Sequence, residues 1–163
     1  MKTEYHSISP VFDENSRILI LGSFPSVKSR EVGFFYGHPQ NRFWRTLANL
    51  FMEEIPRTIE EKKTFLLRHR IALWDVVASC EIMGSADSSI GNVVPNDIET
   101  ILKVASIEKI FTNGGTAYRL YRRYLQPRTG MEAICLPSTS PANAAWTQER
   151  LIEEWRMILS ESY

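Results

Sequence analysis

The chain has 163 residues, 44% of them hydrophobic and 23% charged, and its 19 Lys and Arg balance 19 Asp and Glu to a formal net charge of zero. That length and apolar content suffice to bury a core without a disulfide or metal staple, which excludes disordered and collagen-like classes and predicts one domain over residues 1–163. No stretch approaches the ~20 consecutive apolar residues of a membrane span, residues 1–6 carry no apolar signal region, and Cys80 and Cys135 lack a Cys-x-x-Cys partner, so a cytoplasmic monomer with free thiols, no metal and no cofactor is expected.

Taken in chain order, the first core strand is residues 17–22, a continuous apolar run ending on Gly22, as a strand covered on both faces reads. After Asn41, the residues Phe43, Leu47, Leu50 and Phe51 fall on one helical face. Thr58 and Glu61 form a capping box for a helix running toward His69. Residues 71–76 give the second strand, and Ile98, Ile101, Leu102 and Ala105 the next helical stripe. A third strand over 107–112 leads to a helix through Ala117, Leu120, Tyr121 and Tyr124. A fourth over 131–136 leads to a last helix through Leu151, Trp155, Ile158 and Leu159. Parallel neighbours cannot be joined by a tight turn, so strands alternating with helical crossovers predict an α/β protein: a three-layer α/β/α sandwich around a central four-stranded parallel sheet.

Ligands in such folds bind at the carboxyl ends of the strands. The loops that follow those ends are rich in small, polar and aromatic residues. They run from Gly22 to Arg30, from Gly33 to Trp44, from Gly84 to Ile90, from Asn113 to Gly115, and from Leu136 to Ala144. Backbone N–H groups and hydroxyls of such loops suit an anion and their aromatics a flat ligand, although a Gly-Ser-Pro loop is also an ordinary turn. The glycine patterns of dinucleotide and P-loop sites are absent, as is the Gly-x-Ser-x-Gly elbow of esterases.

Three of these segments, Gly22-Ser23-Phe24-Pro25-Ser26, His38-Pro39-Gln40-Asn41-Arg42-Phe43-Trp44 and Leu136-Pro137-Ser138-Thr139-Ser140-Pro141-Ala142-Asn143-Ala144, together resemble the uracil-DNA glycosylase superfamily. The chain is most similar to the DNA-deoxyinosine (hypoxanthine-DNA) branch, with the mismatch-specific uracil/thymine glycosylases next. Leu73-Trp74-Asp75-Val76, Gly84-Ser85-Ala86-Asp87-Ser88 and Asn113-Gly114 fit the same order. The resemblance implies a monofunctional hydrolase that flips a deaminated base out of DNA and cleaves its N-glycosidic bond. A non-catalytic nucleotide- or DNA-binding module on the same fold is the contrasting reading.

By that resemblance Asn41 is the first candidate for catalysis, placing water or contacting the base. It also stands where a helix N-cap would stand. Asp75 falls where superfamily members put a base-reading amide, and as a carboxylate it would accept from N1–H of hypoxanthine; a loop cap is the plain alternative. Asp87, between serines, is the reserve for water activation, or an Asx turn. Phe24 occupies the place of the water-activating Asp or Asn of uracil-acting members, which favours the deoxyinosine branch. Phe24, Tyr36, His38 and Asn113 would form the base pocket, Tyr36 by stacking. Each also has a structural reading: core aromatic, ordinary hydrogen-bonded histidine, turn residue. Gly22, Ser23, Pro25, Ser26 and Lys28 would face DNA, Ser138, Thr139 and Ser140 would grip the flanking phosphate, and Ala142 and Asn143 would sit near the tip entering the stack. Asn143 could instead cap the last helix.

Net neutrality averages over a polarised chain. Residues 17–45 carry five cations (Arg17, Lys28, Arg30, Arg42, Arg45) against Glu31, and residues 103–128 carry six (Lys103, Lys109, Arg119, Arg122, Arg123, Arg128) against Glu108. One basic face with salt-sensitive affinity for DNA is the expectation.

Overall fold

A computed structural model describes residues 2–82 and 91–159. Its elements in chain order are β1 (Lys2–Tyr5), β2 (Ile18–Gly22), α1 (Val27–Val32), α2 (Phe43–Leu50), α3 (Ile59–Arg68), β3 (Ile71–Asp75), β4 (Val77–Ile82), β5 (Gly91–Pro95), α4 (Glu99–Leu102), β6 (Lys109–Asn113), α5 (Gly115–Tyr124), α6 (Gln126–Thr129), β7 (Ala133–Leu136) and α7 (Gln148–Trp155), the last followed by a 3-10 turn over Arg156–Leu159. Four strands form an all-parallel sheet in the order β3-β2-β6-β7, and helices cover both of its faces. The predicted three-layer sandwich is the observed architecture.

The alternation of side chains along each strand explains why both faces are covered. Ile18, Ile20, Ile71, Leu73 and Phe111 point into one core with Phe43 and Leu47 of α2, Phe65 and Leu66 of α3, and Leu151 and Trp155 of α7. Leu19, Leu21, Ala72 and Ile110 point into the other with Ile98, Ile101 and Tyr121. All five residues of β2 are buried, which is why that strand reads as an unbroken apolar run. Local signals fix several helix starts. Thr58 and Glu61 make the reciprocal capping box of α3, and the Thr147 hydroxyl accepts from Arg150 N to cap α7.

The sequence pattern did not predict a second, antiparallel sheet in the order β1-β4-β5. It starts where β3 stops: Val76 N donates to Gly22 O, and β4 begins at the next residue. Tyr5 pairs with Ser79, and His6 N donates to Ala78 O at 2.7 Å, so the N-terminal strand delivers His6 to the carboxyl end of β3.

Candidate active site

Gly22, Asp75, Asn113 and Leu136 are the last residues of the four parallel strands, and the pairings Gly22↔Asp75 and Asn113↔Leu136 set them side by side. Two clusters form at this end of the sheet. The first surrounds Gly22. A Cβ there would overlap Asp75 Oδ1 and stand 2.8 Å from the Tyr36 hydroxyl, so both polar groups pack closely against the Gly22 backbone. Asp75 is buried, and its other oxygen, Oδ2, lies 2.8 Å from His6 Nε2. Tyr36 takes a left-handed backbone conformation (φ 52°), uncommon for a bulky residue. Its ring stacks on buried Phe43 at 4.1 Å, which fixes the direction of its hydroxyl.

The second cluster joins three loops. Asn113 Nδ2 donates to Thr139 Oγ1 at 2.9 Å, and Thr139 N donates back to Asn113 Oδ1 at 3.0 Å. The Thr139 hydroxyl then donates to Asn41 Oδ1 at 2.8 Å, and Asn41 Oδ1 also accepts from Phe43 N at 3.0 Å. With two donors on its oxygen, Asn41 has only its Nδ2 protons left to offer. It borders a cleft of about 250 Å³ that Tyr36, His38, Pro39, Trp44 and Lys62 also line. Burial lowers the ammonium pKa of Lys62, which lies over the Trp44 ring at 5.2 Å.

The N-cap of α2 is Arg42 rather than Asn41, whose oxygen accepts from Phe43 N one residue further on, and Asn41 also lines the cleft. Asp75 is not a cap; its carboxylate bonds a distant histidine. Asn143 does not cap α7, for Thr147 does so, and the Asn143 amide donates to Ser138 O at 3.0 Å. Thr139 is fully buried with its hydroxyl spent on Asn41, so it braces the loop from inside and faces no phosphate. Ser138 and Ser140 remain partly exposed, their hydroxyls accepting from Ser140 N and Ala142 N, and Ala142 is exposed. In the first loop, Ser26 caps α1, Pro25 is buried, Ser23 O accepts from Val77 N, and Lys28 is exposed. Phe24 is partly buried, edge-on to His6 at 6.0 Å and beneath the Arg30 guanidinium. His38 Nδ1 accepts from Gln40 N at 3.1 Å. Asp87 lies outside the described residues.

Two residues carry more of the site than sequence reasoning gave them. Arg42 donates to the backbone carbonyls of Trp146 and Asn143 and its own N donates to Thr139 O, so it clamps the 139–146 loop to the start of α2. His6 has no local signal, since its partner lies 69 residues away. The only clue is chemical: a carboxylate buried at a strand end needs a donor, and the chain has three histidines. The expected basic face is also narrower than the charge map implied. Arg17 bonds the carbonyls of Glu14 and Ser16 before β2, and Lys109 opens β6, both at the opposite end of the sheet. Arg30 pairs with Glu4 at 2.8 Å. Lys28, Arg45, Lys103, Arg128 and, on α5, Arg119, Arg122 and Arg123 remain exposed.

Residues 9–159 match the family description "Uracil DNA glycosylase superfamily". The chain belongs to the uracil DNA glycosylase superfamily. Within it, the chain is 36% identical over 149 residues to a protein of Methanosarcina acetivorans named hypoxanthine DNA glycosylase, covering 91% of this chain and 93% of that one. A Methanosarcina barkeri protein of the same name is 34% identical over 135 residues, 82% of this chain and 85% of its own. A solution NMR structure from M. acetivorans, titled as a uracil DNA glycosylase, superposes with a TM-score of 0.81 at 34% identity, covering 96% of each chain. The superfamily fold thus accounts for the four-stranded parallel sheet. Among the described residues, no helix is long and apolar enough to cross a membrane.

Proposed function

We propose that this chain is a monofunctional DNA glycosylase that removes hypoxanthine from deoxyinosine, working as a cytoplasmic monomer on DNA with no metal or cofactor. Two relatives that bear the name hypoxanthine DNA glycosylase support the substrate class. The single structural observation that carries the reading is the carboxyl group of Asp75 at the carboxyl end of β3, packed against Gly22 and beside the Tyr36 hydroxyl.

Glycosidic cleavage leaves positive charge on the sugar and negative charge on the departing base, so the site must read the flipped base and stabilise that separation. Asp75 Oδ1 is an acceptor suited to N1–H of hypoxanthine, and the Tyr36 hydroxyl and Asn41 NH₂ are donors suited to O6 or a ring nitrogen. Asn41 cannot act as a strong base at neutral pH, and its oxygen is already engaged; in this reading it orients and stabilises. Phe24 offers no group to activate water, so the rate comes from positioning and electrostatics, which a purine leaving group tolerates better than uracil does. Ser138 and Ser140 present their loop to a phosphate, and Ala142 and Asn143 carry its tip toward the gap left by the flipped nucleotide.

Incubating the enzyme with duplexes holding hypoxanthine, uracil, xanthine or a G·T mismatch, followed by alkaline cleavage, tests the proposal. Strand breaks at hypoxanthine are expected. No breaks on any duplex at enzyme excess contradict glycosylase activity, and much faster release of uracil contradicts the substrate assignment.

A further inference from the structure

His6 belongs to none of the sequence motifs, yet it is among the most enclosed polar groups of the site. Its side chain is 2% exposed, with Phe24 and Trp74 edge-on at 6.0 and 6.4 Å and Phe35 tilted at 6.1 Å. Both ring nitrogens are engaged inside this apolar box. Ile8 N donates to Nδ1 at 3.2 Å, which leaves the proton of the neutral ring on Nε2, and Nε2–H donates to Asp75 Oδ2 at 2.8 Å. Antiparallel pairing of β1 with β4 sets the ring at that distance. Oδ2 is therefore committed to His6, and Oδ1 is left at the Gly22 edge.

Hypoxanthine and adenine differ on the edge that a flipped purine presents. Hypoxanthine carries a donor at N1 and an acceptor at O6; adenine carries a lone pair at N1 and a donor at N6. A carboxylate whose Oδ1 can only accept pairs with the first and sets lone pair against lone pair with the second. The His6 bond fixes the rotation of the carboxyl group, so the engagement of Oδ2 and the direction of Oδ1 go together. Without His6 the carboxyl group is free to rotate, and Oδ1 is no longer held toward the base edge.

We propose that His6 is a specificity-determining positioning residue: it holds Asp75 as an acceptor-only carboxylate with Oδ1 turned to the base, so that a purine protonated at N1 is admitted and adenine is refused. The inference rests on the reading of Asp75 as the group that contacts the base edge. His6 itself touches no substrate atom and acts through Asp75. Sites built around one substrate N–H reject an analogue lacking it by as much as ~10⁴-fold, so loosening this carboxylate has ample room to show.

Single-turnover release from duplexes carrying hypoxanthine or adenine opposite the same base tests this in the full chain, with thermal unfolding of each variant alongside. His6→Leu removes the donor; His6→Gln restores one, because its amide NH₂ reaches the place of Nε2. Hypoxanthine release by H6L is expected to fall about tenfold to a hundredfold, the range for losing a hydrogen bond to a charged group, and the hypoxanthine-to-adenine ratio is expected to narrow. H6Q is expected to keep both. If H6L does not fold, His6→Asn, polar but too short to reach Asp75, takes its place with the same expectation. Unchanged rate and ratio in H6L or H6N, or a loss in H6Q as deep as in H6L, overturn the role of His6. An Asp75→Ala variant that keeps the wild-type ratio overturns instead the reading of Asp75 on which this inference stands.

Discussion

The hydroxyl of Thr139 donates to Asn41 Oδ1 at 2.8 Å across 98 residues of chain. The backbone N–H of Phe43, which can only donate, turns the Asn41 oxygen toward α2, and the Thr139 hydroxyl donates to the same oxygen, leaving the NH₂ to bond elsewhere.

Thr139→Val keeps the shape of this buried residue and removes the hydroxyl. Asn41 Oδ1 loses a donor and Asn113 Nδ2 an acceptor, a loss of about 1–3 kcal/mol in stability. Base release should fall with it, while DNA affinity changes little. Chemical denaturation and single-turnover kinetics on the same preparation check both.

Gly22→Ala adds one methyl group at the point where Asp75 Oδ1 and the Tyr36 hydroxyl converge. Both must retreat, at about 1–3 kcal/mol for the overpacking. We expect a folded protein with activity reduced by at least tenfold, checked by circular dichroism and kcat. Wild-type turnover would show that the Gly22 edge is not where the base is read.

Arg42→Ala releases the 139–146 loop from the start of α2 by removing donors to the Asn143 and Trp146 carbonyls. Backbone amides across 139–146 should exchange faster by hydrogen-exchange mass spectrometry, and DNA binding should weaken through a faster off-rate. Exchange in β2 and β3 should stay as in the wild type.

Glu53 gives the clearest pH dependence away from the site. Partial burial pushes its carboxyl pKa up, but hydrogen bonds and charge from His69 and Arg68 outweigh that, and the pKa lies below the usual glutamate value. A depressed folded-state pKa means stability that is present above the unfolded-state value and is lost as pH falls through the folded one. Glu53→Gln is therefore expected to lower stability by about 0.5–1 kcal/mol near pH 7, with the gap to wild type closing below the glutamate range. Thermal unfolding from pH 3 to 7 checks it.

The parallel sheet was legible because its strands are buried on both faces and read as short apolar runs, and α3 because Thr58 and Glu61 announce its start. The second sheet was not. Lys2–Tyr5 is mostly polar, and Val77–Ile82 follows Asp75 so closely that it reads as a continuation of β3. The site divided along the same line. The positions of Gly22, Asp75 and Asn113 at strand ends follow from the fold class. What each side chain bonds depended on pairings 26 to 98 residues apart, which no spacing within a motif encodes. Thr139 in particular reads as a phosphate ligand beside Ser138 and Ser140, and only burial shows that it turns inward.

In the proposed reaction Asn41 lines the cleft in which the deoxyinosine glycosidic bond is hydrolysed. Chromatographic detection of free hypoxanthine from a deoxyinosine duplex, at enzyme excess, compares wild type with Asn41→Ala directly. Stoichiometric free base from the wild type, and release slowed at least a hundredfold in N41A with DNA binding retained, is the expected result. No free hypoxanthine from the wild type, or equal release from both proteins, contradicts it.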